Sequence, residues 1–163
     1  MHDGGRMNNI DFQTPEWVCE LMTGLIEHNP VFILEPTPGA GNLVKMLEHK
    51  FPDAIIDAPK EFYRFHQKNH QGYHCIIANP PFTPMSLGYK MLDDFFNISH
   101  HQIIILLPWL ALINSEKRTK KYVSNGLKKI IHLPRKAFPG TRVQTCVLVF
   151  EKGYSGDIIF KDA

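Results

Sequence analysis

The tetrapeptide Asn79-Pro80-Pro81-Phe82 gathers hydrogen-bond acceptors beside an aromatic ring. Two consecutive prolines stiffen the chain and remove two N–H donors. The Asn79 side-chain oxygen and the backbone carbonyls remain, and these can accept the hydrogens of an –NH2 group. Phe82 adds a flat face on which a base can stack. Pro-Pro also marks ordinary turns, so the tetrapeptide alone specifies a stiff, acceptor-lined loop with an aromatic flank.

A second segment, Glu35-Pro36-Thr37-Pro38-Gly39-Ala40-Gly41-Asn42, lies upstream. Gly39 and Gly41 permit tight turns and close approach of backbone to a ligand. Amides that open a helix can face that ligand, and an acid at a strand end can hold its amine or hydroxyl. The segment lacks the Lys-Ser or Lys-Thr of a phosphate loop and the third glycine of the dinucleotide fingerprint.

Both segments need strands to carry them. Residues 31–34 are a short apolar run into the glycine loop, after which Leu43, Val44, Met46 and Leu47 follow a helical period. Residues 74–78 form a buried strand that stops at Asn79, which puts the tetrapeptide at a carboxyl end, where open α/β sheets bind ligands. Thr14-Pro15 predicts a helix start, with Thr14 as N-cap and Pro15 in the first turn. Further strands are expected over 54–56, 102–107, 128–133 and 145–151, with an edge strand over 157–160. Helices are expected over 88–98 and, with a basic face, over 115–125. The alternation predicts an α/β fold: a Rossmann-like sheet, mostly parallel, with a C-terminal antiparallel hairpin, helices on both faces and a shortened central region.

The 163 residues, 44% hydrophobic and 21% charged, have globular composition. No run approaches the roughly 20 apolar residues of a membrane span. Residues 1–10 contain no signal peptide and are expected to be a disordered lead-in to one domain over 11–163. Cys19, Cys75 and Cys146 form no Cys-x-x-Cys pair, which fits core residues in a reducing cytoplasm rather than a disulfide framework or a zinc site. His66, His70 and His74 are spaced by four, and His100 adjoins His101, but no Cys, Asp or Glu joins them at ligand spacing. No metal is expected.

The net charge of +2 hides a division. Residues 117–152 carry ten Lys or Arg against one acid, Glu151, a balance of +9; the rest, with eight basic and fifteen acidic residues, is −7. Such a split suggests a polyanion partner, or else a solvated basic face. The candidate contacts are Lys117, Arg118, Lys120, Lys121, Arg135, Lys136 and Arg142.

Together these features resemble the amino-methyltransferases that act on DNA bases. Phe12-Gln13-Thr14-Pro15 resembles the family's N-terminal cofactor motif, Glu35-Pro36-Thr37-Pro38-Gly39-Ala40-Gly41 its S-adenosylmethionine loop, and Asn79-Pro80-Pro81-Phe82 its catalytic motif. Leu133-Pro134-Arg135-Lys136-Ala137-Phe138-Pro139-Gly140-Thr141 and Thr145-Cys146-Val147-Leu148-Val149-Phe150 resemble the closing strand pair of adenine methylases. The motif order is that of the gamma arrangement, and the compact chain looks similar to phage-encoded methylases. The resemblance implies S-adenosylmethionine as cofactor, held by Phe12, Thr14, Pro15, Glu35, Pro36, Gly39, Gly41 and Asp57. It implies methylation of the adenine amino group in DNA, with Asn79, Pro80, Pro81 and Phe82 as catalytic residues. None of the cysteines follows a proline, which argues against cytosine-C5 chemistry.

Asn79 follows Gly41 by only 38 positions, room for one strand rather than two. The family's acids after its second and third strands are matched by one good candidate, Asp57, and a weaker one, Glu61. No target-recognition domain is recognisable, so a partner subunit is a candidate source of sequence readout. Two other functions fit the same motifs: methylation of RNA bases or of a protein glutamine amide, and a catalytically silent relative that binds nucleic acid.

Overall fold

The computed structural model describes residues 13–66 and 72–163. Phe12, His70 and the lead-in 1–10 lie outside the described residues. The strands are β1 (Phe32–Leu34), β2 (Ile55–Asp57), β3 (Tyr73–Ala78), β4 (Ser99–Pro108), β5 (Leu127–His132), β6 (Thr145–Glu151) and β7 (Ile159–Asp162). They join one sheet in the order β2-β1-β3-β4-β6-β5-β7. β6 runs antiparallel to both its neighbours, and every other pairing is parallel. The helices are α1 (Glu16–Gly24), α2 (Asn42–Lys50), α3 (Phe62–His66), α4 (Met85–Ile98), α5 (Leu110–Ile113) and α6 (Glu116–Ser124).

Continuous apolar runs such as residues 103–107 arise because both faces of the sheet are covered. Successive strand residues point to opposite faces. Ile76, Ile103, Ile105, Leu107, Leu148 and Phe150 join one core with Met91, Leu92 and Phe95 of α4 and Tyr122 of α6. Cys75, Ile77, Ile104, Leu106, Val147 and Val149 join the other with Val18 and Met22 of α1 and Leu43 and Leu47 of α2. The three cysteines are free and buried, two of them within those strands. Each fully buried Ile or Leu contributes about 1.5–3 kcal/mol of transfer free energy, so the middle strands hold the sheet rigid beneath its carboxyl ends.

Glycine is required where α6 turns into β5. Gly126 has φ +84, and a Cβ there would fall 2.0 Å from the Glu151 carbonyl oxygen.

The strong strands appear close to the expected positions, and β7 is the expected edge strand, two residues later. Two short helices, α3 and α5, escaped the periodicity because neither completes two turns. α4 starts at Met85 rather than at 88. Thr14 is not the N-cap of α1: Pro15 holds that place, with no side-chain cap. Between α2 and β3 the described residues hold β2 and α3, with β2 at the sheet edge. The shortened region therefore provides one strand outside β1.

Candidate active site

β1 and β3 are parallel neighbours, with Leu34 opposite Ile76. Glu35 and Asn79 leave the carboxyl ends of these strands on the same side of the molecule. There a cleft of 920 Å³ opens, lined by Thr14, Glu35, Pro36, Gly39 and all of Asn79, Pro80, Pro81 and Phe82. Its size falls within the 300–1,000 Å³ usual for small-molecule sites, roughly speaking. Pro15, Gly41 and Asp57 do not line it. Gly41 instead serves the loop's geometry, capping α2 at φ +89.

The N-terminal segment ties the two loops together. Asn79 Nδ2 donates to Thr14 Oγ1 at 2.9 Å. The Thr14 carbonyl accepts from Asn42 Nδ2 at 3.0 Å, and Gln13 Oε1 accepts from the Ala40 amide at 3.0 Å. Thr14, though not a helix cap, thus holds the Asn79 amide by one edge. Its oxygen then lies on the opposite edge of the planar group.

Glu35 is 1% exposed. Its Oε1 accepts from the Thr37 amide at 2.8 Å and from the Thr37 hydroxyl at 3.1 Å. Its Oε2 is buried with no hydrogen-bond partner among the described residues. Burial pushes the carboxyl up to about 7, against the pull of the two Thr37 donors. A buried acceptor without a partner is costly. An amine or hydroxyl entering the cleft supplies the missing donor, so these residues fit a ligand with a cationic head.

Asp57 lies at the end of β2, and its carbonyl accepts from the Glu35 amide at 2.8 Å. Its Oδ2 accepts from the Tyr73 hydroxyl at 2.6 Å. Sequence reasoning missed the lining residues Lys60, Phe62 and Tyr63, Leu87 and Met91 of α4, and Phe138. Phe138 carried a signal, since it stands in the motif before β6. The α3 residues carried none.

The basic residues separate into two groups. Lys117, Arg118, Lys120 and Lys121 lie on α6. Lys120 pairs with Glu116, Lys121 with Asp93, and Arg118 stacks 3.6 Å over the Tyr89 ring. Arg135 and Lys136 form a 3-10 turn after β5, and Arg142 precedes β6. That loop is at the carboxyl end of β5, the same end as Asn79, and its Phe138 reaches the cleft. Among the described residues, no ion pair involves Lys117, Arg135, Lys136 or Arg142. Lys128 and Lys129, by contrast, both pair with Glu27, and Lys128 also with Glu151. Hydrogen bonds from Lys129 and Lys128 drive the Glu27 carboxyl down to about 2. Folding therefore cancels part of the +9 balance and leaves Lys117 of α6 and the loop beside the cleft without ion pairs among the described residues.

Among the described residues, no three His, Cys, Asp or Glu side chains come together as a metal site. No described helix is long and apolar enough to cross a membrane.

No family model and no curated protein matches the sequence. Solved structures do. A class I S-adenosylmethionine-dependent methyltransferase from Listeria monocytogenes matches 98% of this chain with TM-score 0.68 and 15% identity, over 68% of its own length. The methyltransferase subunit of a type I restriction-modification system from Streptococcus thermophilus matches 93% with TM-score 0.72 and 16% identity. The M protein of the type I restriction enzyme EcoKI matches 91% with TM-score 0.66 and 14% identity. The chain spans 47% and 45% of the length of those two subunits. At such identities the likeness is one of fold. With six parallel strands, one reversed strand and helices on both faces, the chain has the Rossmann-like fold of class I S-adenosylmethionine-dependent methyltransferases.

Proposed function

We propose that this protein transfers a methyl group from S-adenosylmethionine to the exocyclic amino group of adenine in DNA. One observation carries the reading: Asn79, oriented by Thr14, and the partnerless oxygen of Glu35 share one cleft at the carboxyl ends of adjacent strands. Thr14, Glu35, Pro36, Gly39 and Asn42 hold the cofactor, with Glu35 on its amine. When bound, the cofactor supplies an electrophilic sulfonium methyl group. A target adenine, turned out of the duplex, places its amino group against the Asn79 side-chain oxygen and the Pro80 carbonyl. Those acceptors draw on the amino hydrogens and raise electron density at nitrogen, and Phe82 stacks on the base. Positioning and fixed dipoles then do most of the work. No side-chain nucleophile is needed, in keeping with cysteines whose thiols burial pushes up to about 11 at Cys19 and about 12 at Cys75 and Cys146.

The loop carrying Arg135, Lys136 and Arg142 supplies phosphate contacts beside the cleft. A partner subunit adds sequence readout. The test is transfer of tritium from labelled S-adenosylmethionine to DNA, RNA and protein in parallel. Label in DNA that digests to N6-methyladenine is the expected result. Label in RNA or protein instead would move the assignment to that substrate.

A second reading, a silent relative that binds nucleic acid, draws on Asp57. This acid, the best match to the family's acids near the cofactor ribose or adenine, lies outside the cleft lining and is engaged by Tyr73. Isothermal titration with S-adenosylmethionine separates the two. Absence of heat at millimolar ligand would favour the silent protein.

A further inference from the structure

The Thr37 hydroxyl stands between two acceptors with one hydrogen to give. It lies 3.1 Å from Glu35 Oε1 and 3.2 Å from the backbone carbonyl of Asn79. The first acceptor belongs to the acid of the glycine loop, the second to the root of the Asn79 loop. We propose that Thr37 is a positioning residue that couples them: the charge carried at Glu35 sets how firmly Thr37 holds the root of the Asn79 loop.

The physical argument rests on acceptor strength. An ionised carboxylate is a much stronger acceptor than a peptide carbonyl or a neutral carboxyl. With Glu35 ionised, the shared hydrogen turns to Oε1 and the Asn79 carbonyl is released. With Glu35 neutral, Oε1 weakens and the hydrogen turns to Asn79. The Thr37 amide stays on Glu35 Oε1 in both cases, so the loop keeps its shape while the hydroxyl changes partner. A cationic group bound at Glu35 Oε2 stabilises the ionised form. Occupancy of the cleft is thereby reported to the Asn79 loop. That last step rests on the methyl-donor reading above; the sharing of one hydrogen does not.

Other titratable groups surround this pair. Cys19 of α1 faces Glu35. Asp57 at the end of β2 touches its backbone. Lys60 and Tyr63 line the same cleft, and His66 of α3 stacks on Phe62. The experiment must therefore assign the titration to Glu35.

The amide resonances of Phe82 and Thr83 are followed by NMR from pH 5 to 9 with no ligand added. Three variants accompany the wild type: Thr37→Val, which loses the hydroxyl at similar shape, Thr37→Ser, which keeps it, and Glu35→Gln. We expect a titration centred near 7 in the wild type and in Thr37→Ser, and none in Thr37→Val or Glu35→Gln. A titration undiminished in Thr37→Val, or absent from the wild type, would overturn the coupling. In a second arm, Thr37→Val lowers kcat for methyl transfer by about tenfold, the scale of one hydrogen bond, and Thr37→Ser restores it. A wild-type protein that shows the titration but transfers no methyl group leaves the coupling intact and overturns the proposed function instead.

Discussion

The side-chain nitrogen of Asn79 donates to the hydroxyl of Thr14 across 65 positions of sequence, at 2.9 Å. Thr14 is buried and Asn79 half-buried, so the bond is partly shielded from bulk water. Thr14→Val should lower kcat for methyl transfer by about tenfold or more, because the amide loses a hydrogen bond that helps hold it in place. Thr14→Ser should recover most of the rate. Single-turnover transfer with saturating DNA measures both, and a wild-type rate in Thr14→Val would dissociate Thr14 from the chemistry.

Asn79→Ala removes the side-chain acceptor but leaves the Glu35 end of the cleft untouched. Transfer should fall by at least about 100-fold, the scale of losing one oriented group from a reactive centre. Affinity for S-adenosylhomocysteine should stay within about threefold. Calorimetry and tritium transfer on the same preparation separate the two effects, and full activity in Asn79→Ala would place the reactive centre elsewhere.

Glu35 predicts a pH dependence of unusual sign. Its carboxyl rises on folding from 4.5 to about 7. Between those values the folded protein binds the proton and the unfolded chain does not, so stability falls as pH rises through the window. Above 7 the buried charge costs about 3 kcal/mol, and below 4.5 the term vanishes. Glu35→Gln should therefore raise the unfolding free energy at pH 8 and leave it nearly unchanged at pH 4.5. Cofactor affinity should move the other way, weakening about tenfold per pH unit below 7 as the ionised form becomes scarce. Urea unfolding and calorimetry at matched pH provide the check.

Ion pairing sorts the basic residues into two classes of variant. Arg135→Ala, Lys136→Ala and Arg142→Ala should each weaken DNA binding and reduce the slope of log K against log salt by about 0.9. Lys129→Gln removes a partner of Glu27 rather than a phosphate contact. It should lower Tm and leave the salt slope unchanged. Fluorescence anisotropy over a salt series distinguishes these outcomes, and a slope unaffected by the loop variants would show the loop to be merely solvated.

The sheet was legible from sequence because its strands are uniform. Residues 103–107 and 146–150 are apolar on both sides, a pattern that two covered faces demand. Asn79 and Glu35 were legible because proline restricts the backbone and glycine frees it, whatever surrounds them. For Thr14 the rule for helix starts misleads, since Pro15 takes the cap position; the resemblance marks it as a cofactor residue, and nothing local shows that the hydroxyl turns to a residue 65 positions away. Thr37 was passed over because its importance lies in a distance between two strand ends. Phe62 and Tyr63 belong to a helix too short to show a period. The opposing charges of Glu27 and Lys128 stand 101 residues apart, so the sequence overstated the basic field that survives folding.

The pairing of Leu34 with Ile76 has one more consequence. In that register Asn79 stands two residues further along its strand than Glu35 and one strand to the side. Strand geometry converts that offset into a Cα separation of about 8 Å. The ruler is anchored in the backbone hydrogen bonds of β1 and β3, and each residue stands at the first position beyond its strand. Changes in the glycine loop or in residues 135–144 can alter what enters the cleft and how tightly it is held. The span between the acid and the asparagine would remain the same, so the shape of the molecules that bridge it is inherited from the sheet.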